Sequence, residues 1–180
     1  MKQKKDRFSP QDVKIEILNI SHNLTEFKSY EQELTDFLLE DSLNNQNQKI
    51  SITFLWFYKG TLVSYITLLT DKINLEGNLK QFFREKDIHY KALPALKIGR
   101  LCVDDNYLRL GLGKLMVLFA IKKANEISTQ KAGCRFLTLD AKRNKDKEKD
   151  SIHFYKKLGF KILKKRKKGT TPMYLDLKIP

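Results

Sequence analysis

Cysteine and histidine are scarce in this chain, which has two Cys and three His in 180 residues. Neither a CxxC pair nor the Cys/His spacing of a zinc site occurs, so the sequence predicts no metal. Cys102 and Cys134 both lie in apolar stretches. That context favours two small buried side chains.

Long hydrophobic runs are also missing. No apolar stretch approaches the ~20 residues of a membrane helix, and the basic start MKQKKDRF does not lead into the core of a signal peptide. With 41% hydrophobic and 31% charged residues, the composition is typical of a soluble globular protein. We therefore expect a cytoplasmic protein without a membrane partner, folded as a single domain over residues 1–180, with a flexible basic tail at residues 1–8.

Acidic residues are too few to balance the basic ones. The chain has 35 Lys and Arg against 21 Asp and Glu, a formal net charge of +14. Such a charge attracts polyanions, including nucleic acid and phosphorylated cofactors, although a solvated basic surface is the simpler alternative. The basic clusters lie at residues 2–7, 135–149 and 161–168. Both a nucleic-acid partner and a homodimer remain open at this stage.

One stretch, residues 97–125, carries a chemical signal. An apolar run ending at Val103 is short enough for a buried strand, and a polar break follows. Next come Gly111 and Gly113, and from Leu112 onward apolar residues recur at helical spacing. The order is strand, glycine turn, helix. The start of such a helix has free backbone N–H groups and a positive dipole end, so it favours an anion such as a pyrophosphate, with Arg109 and Lys114 adding charge.

The other segments predict an α/β fold with a mixed sheet. Alternating patterns predict strands at residues 13–18, 134–141, 160–163 and 173–179, and a hairpin of 50–57 with 61–69 around a Lys-Gly turn. An amphipathic helix is expected at 30–43, ended by a polar tract at 44–49. Residues 71–93 look mainly irregular, with a short helix at 79–86 closed by Pro94. A last helix over 151–158 is stopped by Gly159.

The motif around the two glycines resembles the acetyl-CoA-binding motif of the GNAT family of N-acetyltransferases. The matching residues run from Gly99 through Asp104 and from Tyr107 through Gly113, although Leu108 stands where the family usually has Gln or Arg. The resemblance implies a GNAT fold, with a central mixed, mostly antiparallel sheet and helices on both faces. It also implies that strand residues bind pantetheine and turn residues bind pyrophosphate. The implied cofactor-binding residues are Leu101, Cys102, Val103, Arg109, Leu110, Gly111, Leu112, Gly113 and Lys114.

A second motif, Phe154-Tyr155-Lys156-Lys157-Leu158-Gly159-Phe160, is also similar to the GNAT family. In that family the tyrosine is the general acid for the departing thiolate, which implies this role for Tyr155. An aromatic side chain packed between helix and sheet is the alternative. The family's asparagine, about seven residues earlier, is Glu148 here, and Asn144 is the replacement that we expect to contact pantetheine.

The resemblance implies an N-acetyltransferase that moves an acetyl group from acetyl-CoA to a primary amine, borne by a small molecule, a protein or a tRNA. The order of shorter segments is similar to the GNAT branch containing toxins that acetylate aminoacyl-tRNA. A non-catalytic module of the same fold that binds acyl-CoA or nucleic acid is the other class. Asp140, Asp104, Glu31, Glu33 or a water chain remain open as the general base.

Overall fold

The computed structural model describes residues 7–142, 151–166 and 169–178, and within them seven strands form one sheet. The strands are β1 (Lys14–Ile17), β2 (Ile52–Tyr58), β3 (Thr61–Asn74), β4 (Ala92–Val103), β5 (Phe136–Lys142), β6 (Lys161–Ile162) and β7 (Thr170–Asp176). Their order is β1-β2-β3-β4-β5-β7-β6. The pairs β1/β2, β2/β3, β5/β7 and β6/β7 are antiparallel. The predicted mixed, mostly antiparallel sheet is confirmed.

The helices of the described residues are α1 (Gln32–Asp36), α2 (Ser42–Asn47), α3 (Gly77–Arg84), α4 (Leu112–Gln130) and α5 (Ser151–Lys157). A π-helical turn, Phe37–Asp41, joins α1 to α2. The helix α4 begins at Leu112, as the pattern predicted, and α5 ends just before Gly159, whose φ is +89°. Within these residues, no helix combines the length and the apolarity that a membrane span requires.

The chain forms two compact units. The first contains residues 1–69 and 98–120, and the second contains residues 70–97 and 121–180. The long elements β3, β4 and α4 therefore each contribute residues to both units.

The first unit is built around the hairpin of β2 and β3. Lys59 and Gly60 have φ values of +48° and +82°, the left-handed pair that a two-residue hairpin turn requires, so the predicted hairpin is confirmed. Its core consists of Leu18, Phe27, Phe37, Leu38, Leu55, Leu62, Tyr65 and Cys102. The buried Tyr65 hydroxyl donates to the Leu34 carbonyl oxygen at 2.6 Å, which ties α1 to β3.

The second unit has an aromatic core of its own. The Phe136 ring contacts the rings of Phe83 and Tyr174 edge to face, with centroids 5.8 and 5.7 Å apart. The Arg135 guanidinium lies over Phe83 and Phe136 and donates two hydrogen bonds of 2.8 Å to the Asp176 carboxylate. The core therefore includes a paired charge at its margin.

Two predicted boundaries were wrong. The first helical segment does not stop at residue 43, because α2 continues into the polar tract and ends there at Asn47. Its Gln46 side chain donates to the Leu18 carbonyl oxygen at 2.7 Å and accepts from the Thr53 N–H at 3.1 Å. A polar residue that bridges two backbone segments in this way fits inside a packed helix, and composition alone does not show such a bridge.

Residues 71–93 are also more regular than predicted. The strand β3 continues to Asn74, the short helix α3 is present, and β4 already begins at Ala92, so Pro94 lies inside a strand. Proline cannot donate to a ladder, but its carbonyl oxygen accepts from the Arg135 N–H at 2.9 Å. Pro94 is compatible with this strand because only its acceptor is used there.

Candidate functional site

The glycine turn follows β4 through a short 310 turn, Asp105–Tyr107, and leads into α4. Arg109 has φ +62° and Gly111 has φ +93°. Left-handed backbone costs a residue with a Cβ about 1 kcal/mol or more, whereas glycine adopts it freely. Leu110 therefore lies between two left-handed residues.

Two aspartates at the end of β4 fix the position of this turn. Asp104, only 3% exposed, accepts from the backbone N–H of Lys28 and of Asn106, each at 2.9 Å, and from the Asn106 side-chain amide at 3.0 Å. Asp105 accepts from the Tyr30 N–H at 3.0 Å, and its own N–H donates to the Lys28 carbonyl oxygen. The loop that precedes α1 is thereby bound to the end of β4.

The segment before β1 also contacts the turn. The Phe8 N–H donates to the Leu110 carbonyl oxygen at 2.9 Å. The Phe8 ring lies 4.9 Å from the Tyr58 ring, nearly perpendicular to it, and 6.2 Å from the Tyr107 ring. The sequence had placed Phe8 in a flexible tail, but its packing shows that it is held; residues 1–6 lie outside the described part of the chain.

The turn has free hydrogen-bond donors. Among the described residues, the backbone N–H groups of residues 111–114 meet no acceptor of the chain. They sit at the N-terminal end of a 19-residue helix, where the dipole favours an anion. The side chains of Arg109 and Lys114 are exposed beside them. Chemically, this arrangement suits a phosphate or pyrophosphate group.

The strand residues expected to contact pantetheine end β4. Leu101 and Val103 are half-buried, while Cys102 is 4% exposed. Burial raises the pKa of the Cys102 thiol to about 12, so the thiol stays protonated and unreactive near neutral pH. It therefore serves as a small core side chain, as the sequence predicted. The contact of Leu101, Cys102 and Val103 with pantetheine stays a prediction.

Tyr155 belongs to the second unit. It lies on α5 with 8% of its surface exposed, and its ring is 5.0 Å from Phe154 and 5.6 Å from Phe160. Burial raises the pKa of its phenol above the usual 10.0. Among the described residues, its hydroxyl makes no hydrogen bond. The side chain is thus a protonated phenol with a free O–H, which is the form that a general acid needs.

The carboxylates named as candidate bases have other partners. All three donors to Asp104 come from the polypeptide itself. In the second unit, Asp140 accepts from the Lys97 ammonium at 2.6 Å. Glu33 lies 3.9 Å from Arg100 and is exposed. To take a proton from an amine, Asp104 or Asp140 would have to give up hydrogen bonds that it already makes within the chain, so both are poor candidates.

One expected cofactor contact lies outside the described residues, and two contacts around the turn were not predicted from the sequence. Asn144 falls outside the described residues, and so does Glu148. The contact between Phe8 and the turn was not predicted, because a lone aromatic residue in a basic segment has no sequence signature. The hydrogen bonds of Asp104 and Asp105 did have a sequence signature, because two aspartates before an asparagine mark a turn in which side chains bind backbone N–H groups. Within the described ranges, no cluster of three His, Cys, Asp or Glu side chains is placed to hold a metal.

The mixed sheet and the two-glycine turn at the start of α4 are the fold and the turn that the resemblance to GNAT acyltransferases implied. Residues 16–160 match the profile of the Acetyltransferase (GNAT) family, and the chain belongs to that family. It is an N-acetyltransferase by class, with acetyl-CoA as the acyl donor of the family. The predicted fold, family and activity class are therefore confirmed.

Several solved structures are similar to this chain. AtaT complexed with acetyl-methionyl-tRNAfMet is 23% identical with a TM-score of 0.75, covering 93% of this chain and 96% of that one. AtaTR bound with AcCoA is 25% identical with a TM-score of 0.75, at 93% and 95% coverage. A tyrosine-to-phenylalanine variant of KacT is 21% identical with a TM-score of 0.76, at 93% and 96% coverage. No curated protein sequence matches significantly.

Proposed function

We propose that this chain, acting as a single catalytic domain, transfers the acetyl group of acetyl-CoA to the α-amino group of an aminoacyl-tRNA. The observation that carries the proposal is its likeness, over 93% of its length, to AtaT, whose structure contains acetyl-methionyl-tRNAfMet. AtaT is described as a toxin, so the same likeness favours the toxin branch of the family over an acceptor that is a small molecule or a protein.

The charge of the chain supports a polyanionic acceptor. A net charge of +14 attracts a tRNA over distances of about a Debye length, roughly 8–10 Å in physiological salt, and speeds its association. A small neutral amine would gain nothing from this field. The charge therefore favours tRNA over a small molecule, but it would not by itself select an aminoacylated tRNA.

In this proposal the turn of residues 109–114 holds the pyrophosphate of acetyl-CoA. The free N–H groups of Gly111, Leu112 and Gly113 donate to phosphate oxygens, and the absence of a Cβ at the two glycines lets those oxygens approach closely. Arg109 and Lys114 add positive charge at the rim. Leu101, Cys102 and Val103 at the end of β4 bind the pantetheine arm through their backbone groups.

Tyr155 is the proposed general acid. The neutral acceptor amine attacks the thioester carbonyl carbon, and its nitrogen forms a bond to that carbon and loses one proton to solvent. When the carbon–sulfur bond breaks, the sulfur leaves with the bonding electron pair and takes the proton of the Tyr155 hydroxyl, and the resulting phenolate recovers a proton from solvent. Because burial raises the pKa of Tyr155, the hydroxyl holds its proton until the thiolate forms.

The acceptor is tested by incubating the full chain with labelled acetyl-CoA and a set of matched acceptors. These are aminoacylated tRNA, the same tRNA after deacylation, the free amino acid, and a lysine-containing peptide. We expect label only on the aminoacylated tRNA, released with the amino acid on mild alkaline hydrolysis. Label on the peptide or the free amino acid alone would refute aminoacyl-tRNA as the acceptor. If no acetyl group is transferred to any amine, the chain is better explained as a non-catalytic binding module.

The pyrophosphate site is tested by Gly111→Ala, with Gly60→Ala as the matched control. Both glycines have positive φ, and an added Cβ meets nothing closer than 3.9 Å at either position. Both substitutions should therefore destabilise the fold by a similar amount, ~1–2 kcal/mol. Only Gly111→Ala places a methyl group among the free N–H groups, so calorimetry should show weaker CoA binding for it alone. Equal CoA affinity in both variants would contradict the site.

A further inference from the structure

The peptide group between Leu110 and Gly111 lies at the centre of the turn. Gly111, on its C-terminal side, and Arg109, the residue before Leu110, both have left-handed backbones, and all peptide bonds of the described residues are trans. In a planar trans peptide the C=O and the following N–H point in opposite directions. Whatever fixes the direction of the Leu110 carbonyl therefore also fixes the direction of the Gly111 N–H.

The partner of that carbonyl is the backbone of Phe8, whose N–H donates to it at 2.9 Å. The Gly111 N–H must then point away from Phe8, and among the described residues it has no acceptor in the chain. Glycine allows this peptide to rotate with little steric cost. Without the Phe8 hydrogen bond, a flipped peptide would present the carbonyl oxygen where an anion should bind.

Phe8 is itself held from both sides. Its ring contacts Tyr58, at the hairpin of β2 and β3, and Tyr107, in the 310 turn after β4. The next residues form a closed turn, in which the Ser9 N–H and hydroxyl donate to the Asp12 carboxylate at 2.6 and 2.8 Å. The Asp12 N–H returns a bond to the Ser9 carbonyl oxygen at 3.1 Å. The donor that fixes Leu110 is thus anchored by its own side chain and by the turn after it.

We infer that Phe8 is a positioning residue for the cofactor site: it holds the Leu110–Gly111 peptide with the Gly111 N–H directed at the pyrophosphate of acetyl-CoA. This inference rests on the proposed use of the turn as a pyrophosphate site. Phe8 touches no substrate in this account. It acts by keeping one backbone donor in its binding orientation before the cofactor arrives, which lowers the cost of ordering that donor on binding.

The test compares four variants of the full chain. Phe8→Ala removes the ring that anchors the donor, Phe8→Leu keeps an apolar anchor, and Phe8→Pro removes the N–H itself. Phe119→Ala is the control, because Phe119 is a half-buried ring of the same unit, 5.0 Å from Phe54 and 5.7 Å from Trp56, two helical turns beyond the start of α4. CoA is the binding probe, measured by calorimetry alongside thermal melting and steady-state kinetics.

We expect Phe8→Ala and Phe8→Pro to weaken CoA binding about tenfold, the loss of roughly one hydrogen bond to a charged group. The KM for acetyl-CoA should rise by a similar factor, while kcat at saturating acetyl-CoA stays within about twofold of the original chain. Phe8→Leu should recover most of the affinity. Phe119→Ala should lower the melting temperature and leave CoA binding unchanged.

The outcomes separate this inference from the proposed function. If Gly111→Ala weakens CoA binding but Phe8→Ala and Phe8→Pro do not, the pyrophosphate site stands and the role of Phe8 is refuted. If Phe119→Ala weakens CoA binding as much as Phe8→Ala, the effect is general destabilisation and the inference is again refuted. If the original chain does not bind CoA, the proposed site and the inference fail together.

Discussion

Removing one oxygen atom, in Tyr155→Phe, is the sharpest test of the proposed chemistry. The variant keeps the ring that packs against Phe154 and Phe160 and loses the free O–H. A positioned general acid contributes about 10²- to 10⁴-fold to a rate, which is roughly 2.7–5.4 kcal/mol of barrier at 1.36 kcal/mol per tenfold. We therefore expect kcat to fall by that factor, with little change in the KM for acetyl-CoA.

The stability of the variant should hardly change, because the lost hydroxyl makes no hydrogen bond among the described residues. We expect a change in the free energy of unfolding within ~1 kcal/mol. The control is Tyr174→Phe in the same unit, since Tyr174 is also partly buried with a raised pKa and its ring contacts Phe136. It should keep the original kcat.

The assay is release of the CoA thiol, measured from pH 6.5 to 9 with the acceptor at saturation. Because burial raises the pKa of Tyr155, ionisation of this phenol should not reduce kcat anywhere in that range. A Tyr155→Phe variant whose kcat stays within twofold of the original would refute the assignment. Equal losses in Tyr155→Phe and Tyr174→Phe would refute it as well.

Two further predictions concern the fold. Burial raises the pKa of Cys102 from 9.0 to about 12, so above pH 9 the unfolded chain loses the thiol proton before the folded chain does. The free energy of unfolding should therefore fall by up to ~1.4 kcal/mol per pH unit above pH 9. The urea midpoints at pH 8 and pH 10.5 should differ less in Cys102→Ala than in the original chain. Arg135→Met leaves the Asp176 carboxylate, which is 9% exposed, without its bidentate partner and should cost about 3 kcal/mol, lowering the melting temperature by roughly 6–12 °C. Lys97→Met breaks the more exposed ion pair with Asp140 and should cost under ~1 kcal/mol of stability. Equal losses of stability in Arg135→Met and Lys97→Met would contradict the reasoning that a buried ion pair is the more costly one to break.

The features that the sequence predicted correctly all have a local cause. The hairpin follows from Lys59 and Gly60, and the start of α4 follows from apolar spacing after Gly111 and Gly113. In each case the residues that form the feature are neighbours in the chain, so periodicity and turn chemistry are enough. The family motifs are local in the same sense.

The features that the sequence did not predict depend on contacts between distant residues. The helical state of Asn47 depends on Gln46 bridging Leu18 and Thr53, and the place of Pro94 inside β4 depends on Arg135. Phe8 contacts a turn about a hundred residues away. No window of neighbouring residues contains such information, because each depends on which segments the folded chain brings together.

The engagement of two candidate general bases bears on the choice of acceptor. The Asp104 and Asp140 carboxylates, which the sequence suggested, are both engaged: Asp104 by three donors and Asp140 by the Lys97 ammonium. An amine can attack only when neutral. At pH 7.5, roughly a third of an α-amino group with a pKa near 7.8 is neutral, against about one in a thousand of a lysine ammonium with a pKa near 10.4.

An enzyme that leaves this proton to solvent therefore loses little with an α-amine acceptor and about 10²- to 10³-fold with a lysine side chain. If the acceptor is the α-amino group of an aminoacyl-tRNA, kcat/KM should rise with pH only until that amine is neutral, bending near the amine pKa of about 7.8 and levelling off at about pH 9. Replacing Asp104 with Asn should then reduce stability, through the loss of a charged acceptor for three donors, and leave the shape of that pH profile unchanged. A profile that loses its plateau in Asp104→Asn would instead identify Asp104 as the base and reopen lysine as an acceptor.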